Sequence, residues 1–565
     1  MDAQVSSASQ PSNSVNVASR LTAMARAMPD AIAVVEPLGY DSGGKRQYRR
    51  VTFRELDEDS GRIARGLRHL GAGPGTRLAL LVRPGIDFVS LVFALFKAGV
   101  VVILIDPGMG RRSLIGCLAE AEPDGFVAVP LVHAVRTLVR RRFPQARLNV
   151  TVGRRWFWGG LTLDQLRARP HEPVEPAQTK ADDPAAIIFT TGSTGPAKGV
   201  LFTHGNFDAQ VTQIRDFYGM EPGGVDLPCF PMFGLFNCAM GVTAVIPDMD
   251  PSRPATVDPR KIIEAIDHWN VTQAFGSPAV WNRVGSYCRE HGVELRSVRR
   301  VLSAGAPIPA DVLARMKACI HPEGDVHTPY GATEALPVAS IAASEVLADT
   351  AQRTADGAGV CVGRKFAGVA WKVVRIVDGP IARLDEAEEL PRGEIGELIV
   401  RGPQVTRQYV NRPEANRLGK IRDGDAIWHR MGDVGYFDEQ GRFWYCGRLA
   451  HRVLTADGPI YPVRCEAIFN QHADVFRSAV VGVGAPGEQR PVAVLEPVRG
   501  RMPRSQAARA ALIEEVRRIG QANPLTERIE HFLVHPAFPV DIRHNAKIFR
   551  EKLAVWAASQ LERQR

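Results

Sequence analysis

Apolar positions early in the chain follow two periods in turn. Phe53, Leu56, Ile63 and Leu67 recur at helical spacing behind Thr52 and Glu55, a capping-box pair, so a helix is expected from Phe53 until Gly71 ends it. Leu78–Val82 reads as a short buried strand, about Asp87–Lys97 as a helix, and Val100–Ile105 as the next strand. Such strand–helix–strand units predict a largely parallel sheet covered by helices on both faces. The alternation returns with a strand at Ala185–Phe189, a helix at Ala209–Phe217, helices at Arg260–His268 and Pro278–Arg289 around the strand Gln273–Phe275, and a strand at Val301–Ser303. After Ala367 the texture changes: Trp371–Val377, Gly396–Val400 and Arg442–Cys446 read as strands joined by turns, a β-subdomain. From about Gly447 a smaller α+β region follows, with a strand at Ser478–Val483 and a helix near Ala507–Ile519. No internal repeat is visible.

At 565 residues, 45% hydrophobic and 23% charged, the chain can bury several units' worth of core. The net charge of +9 is mild for this length. Arginines cluster at Arg140–Arg142 and between Arg501 and Arg518. These read as solvated surface, with attraction to an anionic ligand, an acidic partner or a membrane face as the alternatives. No nucleic-acid module accompanies them. None of the eight cysteines stands in a CxxC pair, which argues against a zinc knuckle or a disulfide scaffold and fits a reducing cytosol. Val5–Ser14 is polar and serine-rich without an apolar signal core, and a disordered tail is expected over residues 1–16. The most apolar stretch, Phe88–Ile105, is broken by Lys97 and Gly99, so it reads as helix plus strand; a membrane span needs about 20 uninterrupted apolar residues.

The strongest chemical signal is Ile188-Phe189-Thr190-Thr191-Gly192-Ser193-Thr194-Gly195-Pro196-Ala197-Lys198-Gly199. An apolar strand runs into hydroxyls and glycines, and a lysine closes the loop. Small residues let backbone N–H groups approach phosphate oxygens; hydroxyls add donors and the lysine adds charge. No Gly-Lys-Ser/Thr follows at Walker A spacing. Gly482–Gly487 matches GxGxxG after a strand, but Arg490-Pro491 leads into another apolar strand, Val492–Leu495, so a dinucleotide site is rejected. There is no GxSxG nucleophile elbow.

The string resembles the phosphate loop of the adenylate-forming superfamily of acyl-CoA synthetases, luciferases and peptide-synthetase adenylation domains. Further motifs follow in the family's order from about Val17 to Leu553. Ser303-Ala304-Gly305-Ala306-Pro307 resembles the loop lying against adenine, and Tyr330-Gly331-Ala332-Thr333-Glu334 the next motif. The resemblance implies that Tyr330 packs on adenine, Thr333 meets phosphate and Glu334 binds Mg²⁺. Arg430-Met431-Gly432-Asp433 resembles the ribose motif and Gly447-Arg448 the start of the mobile domain, so the resemblance implies Asp433 and Arg448 on the ribose; Lys547 stands where the family carries its adenylation lysine. The implied architecture is α/β: a large N-terminal αβαβα-type domain with a β-subdomain over 17–447, and a small mobile α+β domain over 448–565. ATP and Mg²⁺ are the implied cofactors. Taken singly, Glu334, Asp433 and Lys547 each have a bland surface reading; their order beside the phosphate loop is what gives them weight.

Four departures narrow the expectation. Gly234 ends Pro231-Met232-Phe233-Gly234 where many relatives have histidine. Gly447-Arg448-Leu449-Ala450 replaces Gly-Arg-x-Asp, Leu454-Thr455-Ala456-Asp457 replaces an expected lysine and glycine, and Arg543-His544-Asn545-Ala546-Lys547 replaces Ser/Thr-x-x-Gly-Lys. Adenylation is thus expected, whereas thioester formation with CoA is in question. His327–Val338, and Pro231–Gly234 followed by Leu235-Phe236, resemble the branch that closes β-lactones in bacterial long-chain olefin formation. That resemblance implies a long-chain 2-alkyl-3-hydroxy acid as substrate, and a thiolase, a reductase and a β-lactone decarboxylase as pathway neighbours. A long-chain acyl-CoA synthetase or acyl-AMP ligase is the rival, and a non-catalytic scaffold a more distant one. No general base for the substrate hydroxyl is legible. His204, just after the phosphate loop, is read as holding a loop in place more readily than as moving protons.

Overall fold

A computed structural model of the chain describes residues 14–106, 109–168, 174–190, 197–230, 232–540 and 548–563. The expected tail falls outside these up to residue 13. Val15 and Asn16, however, are tied down: the Val15 N–H donates to the Thr179 carbonyl at 2.7 Å, and buried Asn16 donates to that of Phe96 at 2.9 Å.

The chain divides into two compact units. The first takes in 1–190, 199–223 and 234–244. Its seven-stranded sheet runs in the order Leu161–Thr162, Leu148–Thr151, Gly125–Ala128, Arg77–Leu81, Val101–Leu104, Pro184–Phe189, Gly199–Thr203. Every neighbouring pair is parallel except the last, which is antiparallel. The central strands Gly125–Ala128 and Val101–Leu104 are buried along their whole length, as strands covered on both faces must be. Helix Phe53–His69 carries the expected capping box in full, with the Thr52 hydroxyl accepting from the Glu55 N–H and the Glu55 carboxylate from that of Thr52. An antiparallel pair, Ile32–Tyr40 with Arg46–Thr52, precedes it; no strand was expected there.

The second unit takes in 191–198, 224–233 and 245–565. Strands Val225–Pro228, Gln273–Gly276, Arg300–Ser303 and Asp325–Ala332 lie side by side and parallel, followed by antiparallel Ala335–Ala342. Their carboxyl ends share one edge, where open α/β sheets bind ligands. The expected β-subdomain is an antiparallel sheet of Ala370–Val374, Gly396–Arg401, Ala426–Phe437 and Phe443–Arg448. Near the C-terminus a three-stranded sheet, Val475–Val483, Arg490–Pro497 and His531–Val534, separates two apolar clusters. Ala479, Val481 and Val483 face helix Arg550–Arg563, while Val480 packs with Leu512 and Val516 of helix Gln506–Gln521, the period-two pattern of a strand buried on both sides. Gly484 and Gly487, both at positive φ, turn the chain between the first two of these strands, so the GxGxxG match is a hairpin turn. All eight cysteines are buried and none forms a disulfide. No helix among the described residues is long and apolar enough to cross a membrane.

Candidate active site

The site assembles on the second unit at the carboxyl ends of its parallel strands. The Ser303–Pro307 loop leaves strand Arg300–Ser303 with Ser303 buried, Gly305 at a φ of +96° and Ala306 and Pro307 following it. One strand over, Ala332 pairs with Ala335, which leaves Thr333 and Glu334 as a two-residue hairpin tip. Gly331 sits at a register shift beside it; a Cβ there would lie 2.7 Å from the Ala335 carbonyl oxygen, so the motif needs glycine for close approach.

Asp433 is delivered by an irregularity in strand Ala426–Phe437. Glu397 pairs with Val434 and Ile399 with Arg430, so Leu398 alone faces Met431, Gly432 and Asp433. Gly432 takes a φ of +64° within this bulge. Asp433 stands in register opposite Arg448, whose Nη1 is 3.1 Å from Asp433 Oδ1 and donates to the Met431 carbonyl at 2.8 Å. The Tyr330 hydroxyl donates to Asp433 Oδ2. Asp433 holds the Arg448 guanidinium above its ordinary pKa, and burial, aided by Asp433, raises that of the Tyr330 phenol. Arg430, from the same motif, does structural duty. It forms a buried ion pair with Glu397 and donates to the carbonyls of Val377 and Gly379 at 2.7 and 2.6 Å. Burial holds the Glu397 carboxyl above the usual range despite that partner.

A second cluster surrounds Glu334. The Tyr409 hydroxyl donates to Glu334 Oε1 at 2.6 Å, and the backbone N–H of Thr406 donates to the Glu334 carbonyl at 2.9 Å. Two ammonium groups approach the Tyr409 ring: Lys198 Nζ at 5.0 Å and Lys420 Nζ at 5.6 Å from its centroid. Lys420 is buried and donates to the Thr406 carbonyl at 2.5 Å. Burial, reinforced by Lys198 and opposed by Glu334, pulls its pKa down to about 7. Burial also drives His429, bonded to the Gly419 carbonyl at 3.0 Å, well below its ordinary value.

Two consequences can be measured. A supporting group that orients a metal-ligating carboxylate typically contributes 10–100-fold in metal affinity. Taking Glu334 as the Mg²⁺ ligand that the family resemblance implies, Tyr409→Phe is expected to raise the Mg²⁺ concentration for half-maximal activity by about ten-fold; an unchanged Mg²⁺ titration would remove Tyr409 from that role. For Lys420, the unfolded chain binds the extra proton between about pH 7 and the ordinary lysine range near 10.5, so its contribution to stability rises with pH across that window and the cost of burying the charge is fully present below it. The melting temperature of the wild type minus that of Lys420→Met should therefore climb from about pH 6 to about pH 10; a flat difference would mean that the ammonium is not buried in solution.

Tyr330, Asp433 and Arg448 thus meet through direct contacts, and Glu334 and Lys198 meet around Tyr409. Thr190 follows strand Pro184–Phe189 in the first unit. Thr191, Gly192, Ser193, Thr194, Gly195 and Lys547 lie outside the described residues. The flanks of Lys547 are fixed: Val540 bridges Ile548, the Phe549 N–H donates to the Pro539 carbonyl at 2.9 Å, and Arg550 Nη2 meets Glu466 Oε2 at 2.8 Å. His204 is buried in the first unit, where its Nδ1 accepts from the Val17 N–H at 3.4 Å and burial lowers its pKa to about 4, the loop-holding role expected of it. Tyr409, Lys420 and His429 were not legible as site residues. A lone lysine between Gly419 and Ile421 carries no sign of burial.

The chain belongs to the AMP-binding enzyme family, whose model matches residues 21–410. It has the adenylate-forming enzyme fold: an amide bond synthetase of Marinactinospora thermotolerans superposes with a TM-score of 0.77 at 22% identity, covering 96% of this chain and 99% of that one. Two curated relatives extend over nearly the full length. The olefin beta-lactone synthetase of Stenotrophomonas maltophilia (strain K279a) is 48% identical across 97% of this chain and 99% of its own. That of Xanthomonas campestris pv. campestris is 47% identical across 96% and 98%.

Proposed function

We propose that the chain activates a long-chain 2-alkyl-3-hydroxy acid with ATP and closes it to a β-lactone. Near-full-length identity of 48% to a protein named olefin beta-lactone synthetase carries this reading. The substrate carboxylate attacks the α-phosphorus of ATP and pyrophosphate leaves. The substrate's own 3-hydroxyl then attacks the acyl carbon, its proton passes to solvent or a base, and AMP departs as the four-membered ring closes. Proximity favours this intramolecular attack strongly, while the acyl-phosphate anhydride supplies the leaving group.

In this reading Asp433, steadied by Arg448 and Tyr330, accepts the ribose hydroxyls. The Ser303–Pro307 loop lies against adenine. The Thr190–Gly195 loop and Lys198 take the phosphates, with Thr333 beside them. Glu334, oriented by Tyr409, fits Mg²⁺, a hard cation that takes one or two carboxylates and completes its shell with phosphate and water oxygens. The ion would supply charge neutralisation on the phosphates.

CoA is not needed for this chemistry, and Leu454-Thr455-Ala456-Asp457, in place of the lysine and glycine expected of a thioester-forming relative, lie in a short hairpin. Val453–Thr455 and Gly458–Ile460 form a tight hairpin, in which the Thr455 hydroxyl donates to the Gly458 carbonyl at 2.7 Å. The Gly487 and Gln489 N–H groups both donate to the Leu454 carbonyl at 3.0 Å, which locks the hairpin to a neighbouring turn. We place the mobile domain after Gly447, the chain in the cytosol, and a thiolase, a reductase and a β-lactone decarboxylase as its pathway neighbours.

Incubation with ATP, Mg²⁺ and a synthetic 2-alkyl-3-hydroxy long-chain acid, with and without CoA, tests the reading by mass spectrometry. Lactone and AMP should form without CoA. Acyl-CoA formed only when CoA is present would identify a conventional ligase instead.

A further inference from the structure

From Gly125 to Leu163 the chain holds seven arginines and no acidic residue. The rest of the chain holds 63 Lys and Arg against 61 Asp and Glu, so this one segment supplies seven of the nine net positive charges. The clustering is spatial as well as sequential. Helix Pro130–Leu138 turns buried His133 inward, its Nε2 2.9 Å from the Val150 carbonyl oxygen, and stacks it on Trp158 with ring centroids 5.5 Å apart. Trp158 in turn donates to the Thr151 hydroxyl at 2.9 Å and packs against Trp156 and Phe157 at 5.4 and 5.1 Å. The helix and the 153–159 loop are thereby fixed beside one another.

Their outer side is apolar. Leu131, Val135 and Leu138 fall at i, i+4 and i+7, one stripe opposite His133, and are 68%, 43% and 86% exposed. On the adjoining loop, Trp156 and Phe157 are 53% and 73% exposed. Exposed Arg140, Arg141 and Arg142 follow the helix in a single 3₁₀ turn, and Arg154 and Arg155 precede the aromatic pair. Arg140, Arg141, Arg142 and Arg154 have no ion-pair partner among the described residues. A solvated surface gains nothing by displaying five large apolar side chains on two adjoining elements, and a segment of seven arginines that contributes no acid of its own repels another basic surface.

We infer that this face docks the protein on an anionic phospholipid surface, with the leucines and aromatics entering the headgroup boundary and the arginines pairing with lipid phosphates. Apolar protrusions ringed by unpaired guanidinium groups match that partner on both counts. A water-insoluble substrate gives the docking a purpose, and that purpose alone rests on the proposed lactone reaction.

The test reads lipid binding without substrate, so its failure leaves the proposed reaction standing. Full-length protein is sedimented with phosphatidylcholine vesicles and with vesicles that also contain phosphatidylglycerol, at low and moderate salt. Binding should require phosphatidylglycerol and weaken with salt. Arg140→Gln/Arg141→Gln/Arg142→Gln should lose on the order of 100-fold in vesicle affinity, at about five-fold per arginine, and Leu138→Ser/Phe157→Ser should lose about ten-fold or more. These residues are exposed, so ATP–pyrophosphate exchange should persist in both variants and report intact folding. Absence of vesicle binding, or equal binding by the variants, would overturn the inference. Patch-dependent self-association of the wild type without lipid would assign the face to a second copy instead.

Discussion

Alanine at Lys547 is expected to slow ATP–pyrophosphate exchange by on the order of 10²–10³-fold, the usual effect of removing one preorganised charge from a transition state. Nucleotide binding should change far less, because the contacts proposed for adenine, ribose and the phosphates come from other segments. The effect should be clean for a structural reason. The chain on either side of 541–547 is pinned by the Val540–Ile548 bridge and by Arg550 on Glu466, and neither contact involves Lys547. Both flanking contacts are therefore expected to survive truncation of the lysine. Exchange at the wild-type rate in Lys547→Ala would end the proposed role, and equilibrium ATP binding measured on the same preparation would show whether any loss lies in affinity or in the chemical step.

Asp433→Ala should cost nearly as much in activity and more in stability. Its carboxylate takes the Arg448 guanidinium on one oxygen and the Tyr330 hydroxyl on the other. Alanine leaves a largely buried cation and a phenol without their acceptor. Breaking a buried ion pair costs about 3–5 kcal/mol; because the Arg448 side chain remains 32% exposed, a loss nearer 2 kcal/mol is expected, readable by urea denaturation. ATP affinity should fall by about 100-fold, the worth of two charge-assisted hydrogen bonds. Asp433→Asn separates the two effects, since its amide oxygen still accepts from Tyr330 while the charge for Arg448 is gone. Unaltered ATP affinity in Asp433→Ala would remove the ribose role.

Much of the fold could be read from periodicity because its strands are buried runs between capped helices. Helix Phe53–His69, strand Val101–Leu104 and strand Gln273–Gly276 lie within two residues of their expected positions. The hairpin Ile32–Tyr40 with Arg46–Thr52 escaped notice because its outer strand, arginine-rich and mostly exposed or half-buried, shows no apolar alternation. The candidate site was proposed from chemistry that is local in sequence: hydroxyls and glycines before a lysine, or Thr333-Glu334 behind an aromatic. It was illegible where chemistry depends on distant pairing. Nothing around Tyr409 announces that it will hold Glu334, 75 residues away in the chain. The bulge that presents Asp433 exists only as a mismatch with strand Gly396–Arg401, so a single strand read by itself could not reveal it.

The eight buried thiols have a practical consequence. Burial pushes Cys238 in the first unit, and Cys446 and Cys465 in the second, up to about 12, so none of the three offers a thiolate at neutral pH while its surroundings stay closed. Alkylation under gradually increasing denaturant therefore becomes an intrinsic clock. Peptides bearing Cys117 and Cys238 would time the opening of one unit, and those bearing Cys288, Cys446 and Cys465 the other, without any engineered label. Modification of both sets at one denaturant concentration would describe a single cooperative molecule, whereas staggered modification would order the two units by their stability.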